Sequence, residues 1–355
     1  MAGGSAEFPM AQAVQLATRN HGMPLEALRH PVTPTGLHYL LTHYDIPVVD
    51  EGSWRLEVAG EVERPLSLTA ADLRRREAVE VCSTMECAGN GRARFDPMPA
   101  SQPWLLEAVG TACWRGVPLR SVLEEAGLRE GAVEVLFTGL DRGVEGGIEQ
   151  SYQRSLTVSE AMSGDALLVY EMNGAPLLPQ HGFPLRLVVP GWYGMTNVKW
   201  LSSVTVIDYA FDGYQQDHSY RLRSDEEDPG TPLTRMLPRA LMAPPGMPEF
   251  LSRERILDPG EHVLEGRAWS GHAAIARVEV SVDGGESWEA AATSRDLDSP
   301  WAWCAWTFRW SAAPGRYVLC CRATDESGNV QPPAASWNVG GYANNSPQQV
   351  AVTVR

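Results

Sequence analysis

The segment Val81-Cys82-Ser83-Thr84-Met85-Glu86-Cys87-Ala88-Gly89-Asn90-Gly91-Arg92 starts as a strand and runs out into small, flexible residues. Cys87 therefore sits at the mouth of a loop, where a thiol has two readings. It is a buried structural cysteine, the usual fate of a lone Cys, or a thiolate that ligates a metal or attacks an electrophile. Arg92 and Arg94 stand close enough in sequence to assist the second role. Gly89-x-Gly91 lacks the third glycine and following apolar helix of a dinucleotide fingerprint. His38 and His43 are five residues apart and do not converge on one metal from a helix or a strand. Lys199 is the only lysine of the chain and lies in an apolar Val-Lys-Trp-Leu stretch. An unpaired ammonium is costly to bury, so Lys199 calls for a partner.

The elements that must position these residues are short. Strands are expected at 54–58, 133–138, 166–171, 185–189 and 198–207, from alternating or continuous apolar runs. One helix opens near 68–73 with Thr69 as N-cap and Asp72 completing a capping box, and another spans 119–126 and ends at Gly127. Residues up to about 47 show little periodicity and many turn formers. Strands and short helices without regular βαβ spacing predict an α+β fold, mainly β. From 224 to 259 an acidic run (Asp225 to Asp228), followed by six prolines between Pro229 and Pro248, reads as a surface connector. Beyond it, about seven strands with turns at intervals of roughly ten residues suit an immunoglobulin-like sandwich. The expected division is a mixed domain over 1–230 and a sandwich over 231–355.

The 355 residues carry 29 Lys+Arg against 44 Asp+Glu, a net charge of −15. That balance argues against nucleic acid or an anionic membrane as partner, while a local cluster can still hold a small anion. Six cysteines (Cys82, Cys87, Cys113, Cys304, Cys320, Cys321) without a CxxC pair are too few and scattered for a disulfide framework or a zinc ribbon. The N-terminal MAGGSAEFPM has no leader pattern and no apolar run reaches membrane-spanning length. The expected location is cytoplasmic, or periplasmic if a leader has been removed. Asn344-Asn345-Ser346 is read as a chance glycosylation sequon.

Cys87-Ala88-Gly89-Asn90 followed by Arg92 resembles the molybdenum-ligating segment of the sulfite oxidase family of molybdopterin enzymes. Gly139-Leu140-Asp141, Tyr170-Glu171-Met172-Asn173-Gly174, His181-Gly182-Phe183-Pro184-Leu185-Arg186 and Val198-Lys199-Trp200-Leu201 follow in the family's order. In the second half, Ala268-Trp269-Ser270-Gly271, Val282-Asp283-Gly284-Gly285 and Ala302-Trp303 resemble its dimerisation domain. The likeness covers roughly residues 35 to 355.

The resemblance implies a molybdopterin-binding domain joined to a homodimerising sandwich. Cys87 would ligate the metal, the one soft anionic ligand required beside a pterin dithiolene. Tyr39, His43, Asp141, His181, Arg186, Asn197, Val198 and Lys199 would hold the pterin cofactor. Arg92, Tyr220 and Trp104 would join Cys87 in the catalytic pocket. The implied reaction is oxygen-atom transfer to sulfite or a related oxyanion. With no haem segment in the sequence, electrons would leave to a separate acceptor. The family's sulfite oxidases carry two further arginines where Leu41 and Gln349 are placed here, and each charge-assisted bond lost removes about 1.5–3 kcal/mol. Arg19, Arg94 or Arg221 are candidates to fill the gap. The competing readings are another substrate for the same cofactor, such as a sulfoxide or nitrate, and a cofactor-free binding protein.

Overall fold

The computed structural model describes residues 10–355; the N-terminal residues read for a leader lie, but for Met10, outside the described residues. Two five-stranded sheets form the first half. In one, Leu56–Gly60 pairs antiparallel with Leu66–Leu68 and parallel with Leu201–Ile207, which continues to Glu134–Glu145 and Ile148–Thr157. In the other, Val79–Glu86, Val109–Pro118 and Leu167–Met172 lie side by side, the last also pairing with Ala175–Pro176 and Arg186–Val188. Leu56, Val58, Val117, Phe137, Leu187 and Val204 pack into one core between them and are sealed from solvent.

Local signals act where they stand. The Asp72 backbone N–H donates to Thr69 Oγ1 at 3.0 Å and the Thr69 N–H donates to the Asp72 carboxylate at 2.9 Å, opening the Ala70–Arg74 helix with a capping box. The Leu119–Ala126 helix buries Leu119, Val122, Leu123 and Ala126 on one face and stops at Gly127, whose φ of 71° suits glycine. Three expectations change. The strand read from 198 begins at Leu201, because Trp200 turns into the left-handed region at φ 48° and leaves Lys199 on an irregular segment. A helix, Met10–Arg19, precedes the irregular N-terminal stretch. Cys82 and Cys113, distant in sequence, become register partners on adjacent strands and form a disulfide.

The proline-rich stretch is not only a connector. It supplies Arg239–Met242 to a four-stranded sheet, and Met247–Pro248 and Arg255–Leu257 to the margin of a six-stranded one. Pro248 lies on the outermost strand, where its missing N–H costs no ladder bond. The two sheets face each other across Met242, Leu264, Val280, Trp306, Leu319 and Val352, an immunoglobulin-like sandwich. Asn344, read as part of a sequon, is buried and donates from Nδ2 to the Gly91 carbonyl at 3.0 Å.

The halves share a further core in which Met23, Leu28, Ala88 and Tyr193 pack against Trp269 and Trp303. At its centre Arg239 Nη1 meets Glu86 Oε1 at 2.5 Å, and Trp269 Nε1 donates to Glu86 Oε2 at 2.9 Å. Removing one member of a buried ion pair leaves the other uncompensated. Arg239→Met should therefore cost about 3–5 kcal/mol in denaturant unfolding, and adding Glu86→Gln should recover much of that loss.

Candidate active site

Two cavities meet at Cys87. Its backbone N–H closes on the Ala108 carbonyl at 2.9 Å just after the Val79–Glu86 strand, and its carbonyl accepts from the Asn90 N–H at 2.9 Å. Asn90 Nδ2 ties this turn to Glu86 Oε1 and to the Leu106 carbonyl, while its Oδ1 accepts from the Ala108 N–H. Gly89 makes room for Arg92: a Cβ there would stand 2.5 Å from its guanidinium, which would have to move. The Cys87 side chain is buried, and burial pushes its thiol pKa up, against the opposing pull of Arg92.

The first cavity gathers Tyr39, His43, Asp141, His181, Arg186, Asn197, Lys199 and Tyr220 around Cys87, from segments far apart in sequence. Arg186 donates to the carbonyls of His181 (3.1 Å) and Asn197 (3.3 Å) and lies 4.8 Å over the Trp114 ring. Burial brings its pKa down to about 10. Lys199 Nζ donates to the carbonyls of Leu41 (2.8 Å) and Gln180 (3.2 Å), and burial, then Arg186, lower its pKa. Burial raises the pKa of Asp141, with Lys199 opposing. Desolvation brings His43 and His181 to about 3 and His38 to about 4, so these imidazoles are neutral at pH 7.

His38 Nε2, Asp141 Oδ1 and Arg186 Nε are buried on this wall without a hydrogen-bond partner. Native structures rarely leave such groups orphaned. A buried guanidinium, a part-buried ammonium, one carboxylate and unspent polar atoms fit a heterocycle with an anionic tail, and one thiol fits a metal whose other ligands come from that heterocycle. Among the described residues no three His, Cys, Asp or Glu side chains converge on a point. Val198 does not join this wall: its side chain packs in the core and its N–H and carbonyl bond to Thr196 and Leu187.

The second cavity, of about 300 Å³, shares His43, Cys87 and Tyr220 with the first and is lined besides by Arg92 and Trp104. Tyr220, at φ 59°, places its hydroxyl 2.5 Å from His43 Nε2. Burial holds the phenol far above its usual pKa, so the pair is neutral. Leu41 borders both cavities. Gln349 does not reach them. It lies across from Cys320 in the sandwich and lines a separate pocket, which corrects its assignment to the substrate site. The arginines considered as replacements are engaged elsewhere: Arg94 with the Ser346 and Pro347 carbonyls, Arg19 with Tyr44 and Asp45, Arg221 with Asp217 and Pro229. Tyr342 and Glu145 complete the wall and carried no sequence signal, since both arrive through long-range folding. Only the Asn-rich 338–345 turn, which delivers Tyr342 beside Arg92, hinted at a built loop.

The folded pKa of Lys199 lies below the roughly 10.4 of an unfolded lysine, so unfolding of the apoprotein takes up a proton above neutrality. Apoprotein stability should accordingly rise from neutral pH to about pH 10. Lys199→Met should flatten that rise in thermal unfolding, raise the apoprotein's Tm, and lower retention of a pterin cofactor measured after denaturation.

Known proteins carry the same plan. Residues 43–215 match the family described as oxidoreductase molybdopterin binding domain, and 239–355 match the Mo-co oxidoreductase dimerisation domain. The sulfite oxidase of Gallus gallus is 37% identical over 87% of this chain and 70% of its own length. The Oryza sativa protein named nitrate reductase [NADH] 1 is 33% identical over 93% of this chain, which spans only 39% of that longer relative. The crystal structure of the sulfane dehydrogenase SoxCD from Paracoccus pantotrophus superposes with a TM-score of 0.80 at 25% identity, covering 100% of this chain and 95% of that one. Sequence, fold and the cavities about Cys87 agree: the chain belongs to the sulfite oxidase family of molybdopterin-dependent oxidoreductases.

Proposed function

We propose that this molybdenum-pterin oxidoreductase oxidises a small sulfur substrate, sulfite in the first instance, by oxygen-atom transfer, and passes the electrons to a separate acceptor. The observation that carries the reading is the position of Cys87, shared by a cationic cavity suited to a cofactor and a small cavity suited to an oxyanion. When bound, the molybdenum-pterin group supplies the two-electron oxygen-atom transfer that no side chain can perform.

The residues divide the remaining work. Cys87 would hold the metal, whose charge would favour the thiolate against the burial that raises the thiol's pKa. Arg186 and Lys199, fixed by backbone carbonyls and by Trp114 and Trp200, would neutralise the pterin's phosphate. Asp141, His181, Asn197 and Tyr39 offer hydrogen bonds along the same wall. On the substrate side Arg92 holds oxygens, and Tyr220, kept neutral and oriented by His43, faces the reacting centre. Trp104 Nε1, buried beside the Cys87 thiol, is a further donor there.

Sulfite is favoured over nitrate because the sulfite oxidase relative and the sulfane dehydrogenase structure are both matched over most of their length. The dimerisation domain supports a homodimer.

Sulfite added to holoenzyme from a cofactor-competent host should bleach the metal-thiolate absorption and reduce a one-electron dye. Absence of bleaching in molybdenum-loaded protein would falsify the sulfite reading. Cys87→Ser should lose the thiolate band and turnover while unfolding like the parent. Gly89→Ala should push the Arg92 guanidinium aside, raising KM for sulfite about tenfold or more, the size of one lost charge-assisted bond.

A further inference from the structure

The charged groups on the substrate side of Cys87 are few and of opposite sign. Arg92 supplies the guanidinium, but Nε is spent on the Gly340 carbonyl at 2.9 Å and one Nη1 hydrogen on the Gln102 carbonyl at 2.9 Å. Its plane lies 5.2 Å over the Tyr342 ring. What remains is the paired Nη1 and Nη2 edge, a fork matched to two oxygens of a single anion. Glu145 presents a carboxylate to the same cavity. That carboxylate accepts from Gln215 Nε2 at 2.6 Å and Tyr44 Oη at 3.4 Å, and among the described residues it makes no ion pair. Arg186 and Lys199 border only the other cavity. Aromatic and aliphatic surface, from Trp104, Tyr220, Tyr342, Leu41 and Val144, makes up much of the remaining wall.

Such a site holds one negative charge and disfavours a second, since a dianion would face the Glu145 carboxylate with Arg92 as the one cation lining the cavity, Arg154 being set behind the Tyr220 ring with its Nη1 donating to the Gln215 carbonyl. Its volume of about 300 Å³ exceeds what a bare oxyanion fills and reaches the lower bound of small-molecule pockets. We propose that the preferred substrate is a sulfur monoanion bearing an uncharged substituent, an organic sulfinate, oxidised to the sulfonate. The inference rests on the oxygen-transfer reading above and narrows its substrate class. The balance is R–SO2⁻ + H2O → R–SO3⁻ + 2 H⁺ + 2 e⁻. One S–O bond forms with an oxygen drawn from water, the sulfur loses two electrons, the protons pass to solvent, and a one-electron acceptor takes the electrons in two steps. The two sulfinate oxygens lie on the Arg92 fork and the substituent lies against the aromatic wall.

The test uses the holoenzyme with ferricyanide as acceptor, comparing methanesulfinate, benzenesulfinate and sulfite at alkaline pH, where sulfite is a dianion. Sulfonate should form, with kcat/KM for at least one sulfinate about tenfold or more above that for sulfite, the discrimination expected of one unpaired charge. Glu145→Gln should lower the KM for sulfite by a larger factor than that for the sulfinate. Oxidation of sulfite with both sulfinates inert, or an equal effect of Glu145→Gln on the two substrates, overturns the inference while leaving the oxygen-transfer reading intact. Failure of all three to reduce molybdenum-loaded protein removes that reading itself.

Discussion

The structure turns on a carboxylate that has no access to water. Glu86 is the last residue of the strand that delivers Cys87, and it is buried. It is tolerable there only because Arg239, Trp269 and Asn90 all donate to it. Two of those three donors belong to the sandwich. The turn that carries the thiol is therefore built jointly by both halves, and neither could hold it at this depth without the other. Further bonds repeat the pattern: Ala343 N–H to the Ala88 carbonyl, Asn344 Nδ2 to Gly91, and Arg92 Nε to Gly340. A domain of the kind named for dimerisation is here also part of the wall of the site.

A second constraint is charge. A chain of −15 concentrates two cations, Arg186 and Lys199, in one cavity at Cys87, and leaves Arg92 nearly balanced by Glu145 in the other. The cavity with excess positive charge fits the group that brings phosphate. The cavity near neutrality governs what that group can act upon. Three histidines near the junction are kept neutral by burial, so they shape and hydrogen-bond without adding charge at physiological pH. Substrate charge is thus sorted by a few side chains whose surroundings, more than their identities, set their contribution.

Much of the site was legible in the sequence because its signals are local. The Cys87-to-Arg92 turn needs small residues so that a guanidinium can fold back over Gly89, and that need is written in six consecutive positions. The Thr69 capping box and the Gly127 stop act within one helical turn. Asp141, His181, Arg186 and Lys199 were recognisable by motif order, although their meeting in one cavity was not. Short-range patterns failed at Val198, which reads like its neighbours yet points into the core, and at Gln349, whose strand register turns it into another pocket. They failed again in the proline-rich stretch, where strands form because a sheet margin awaits them and not because the segment favours extension alone.

The sequence by itself determined the chemistry on offer: one thiol in a glycine-rich turn, a scarce lysine, a set of arginines and an acidic balance. Those follow from residue identity and from backbone preferences that act over a few positions. Only the tertiary structure decided which of them face each other. Tyr342 and Glu145 reach the Cys87 cavity, Cys82 finds Cys113, and Arg94 is drawn away to Ser346 and Pro347 through pairings between distant strands and loops. Register and domain contact minimise buried, unpaired polar groups over the whole molecule. That global condition cannot be read from any one segment.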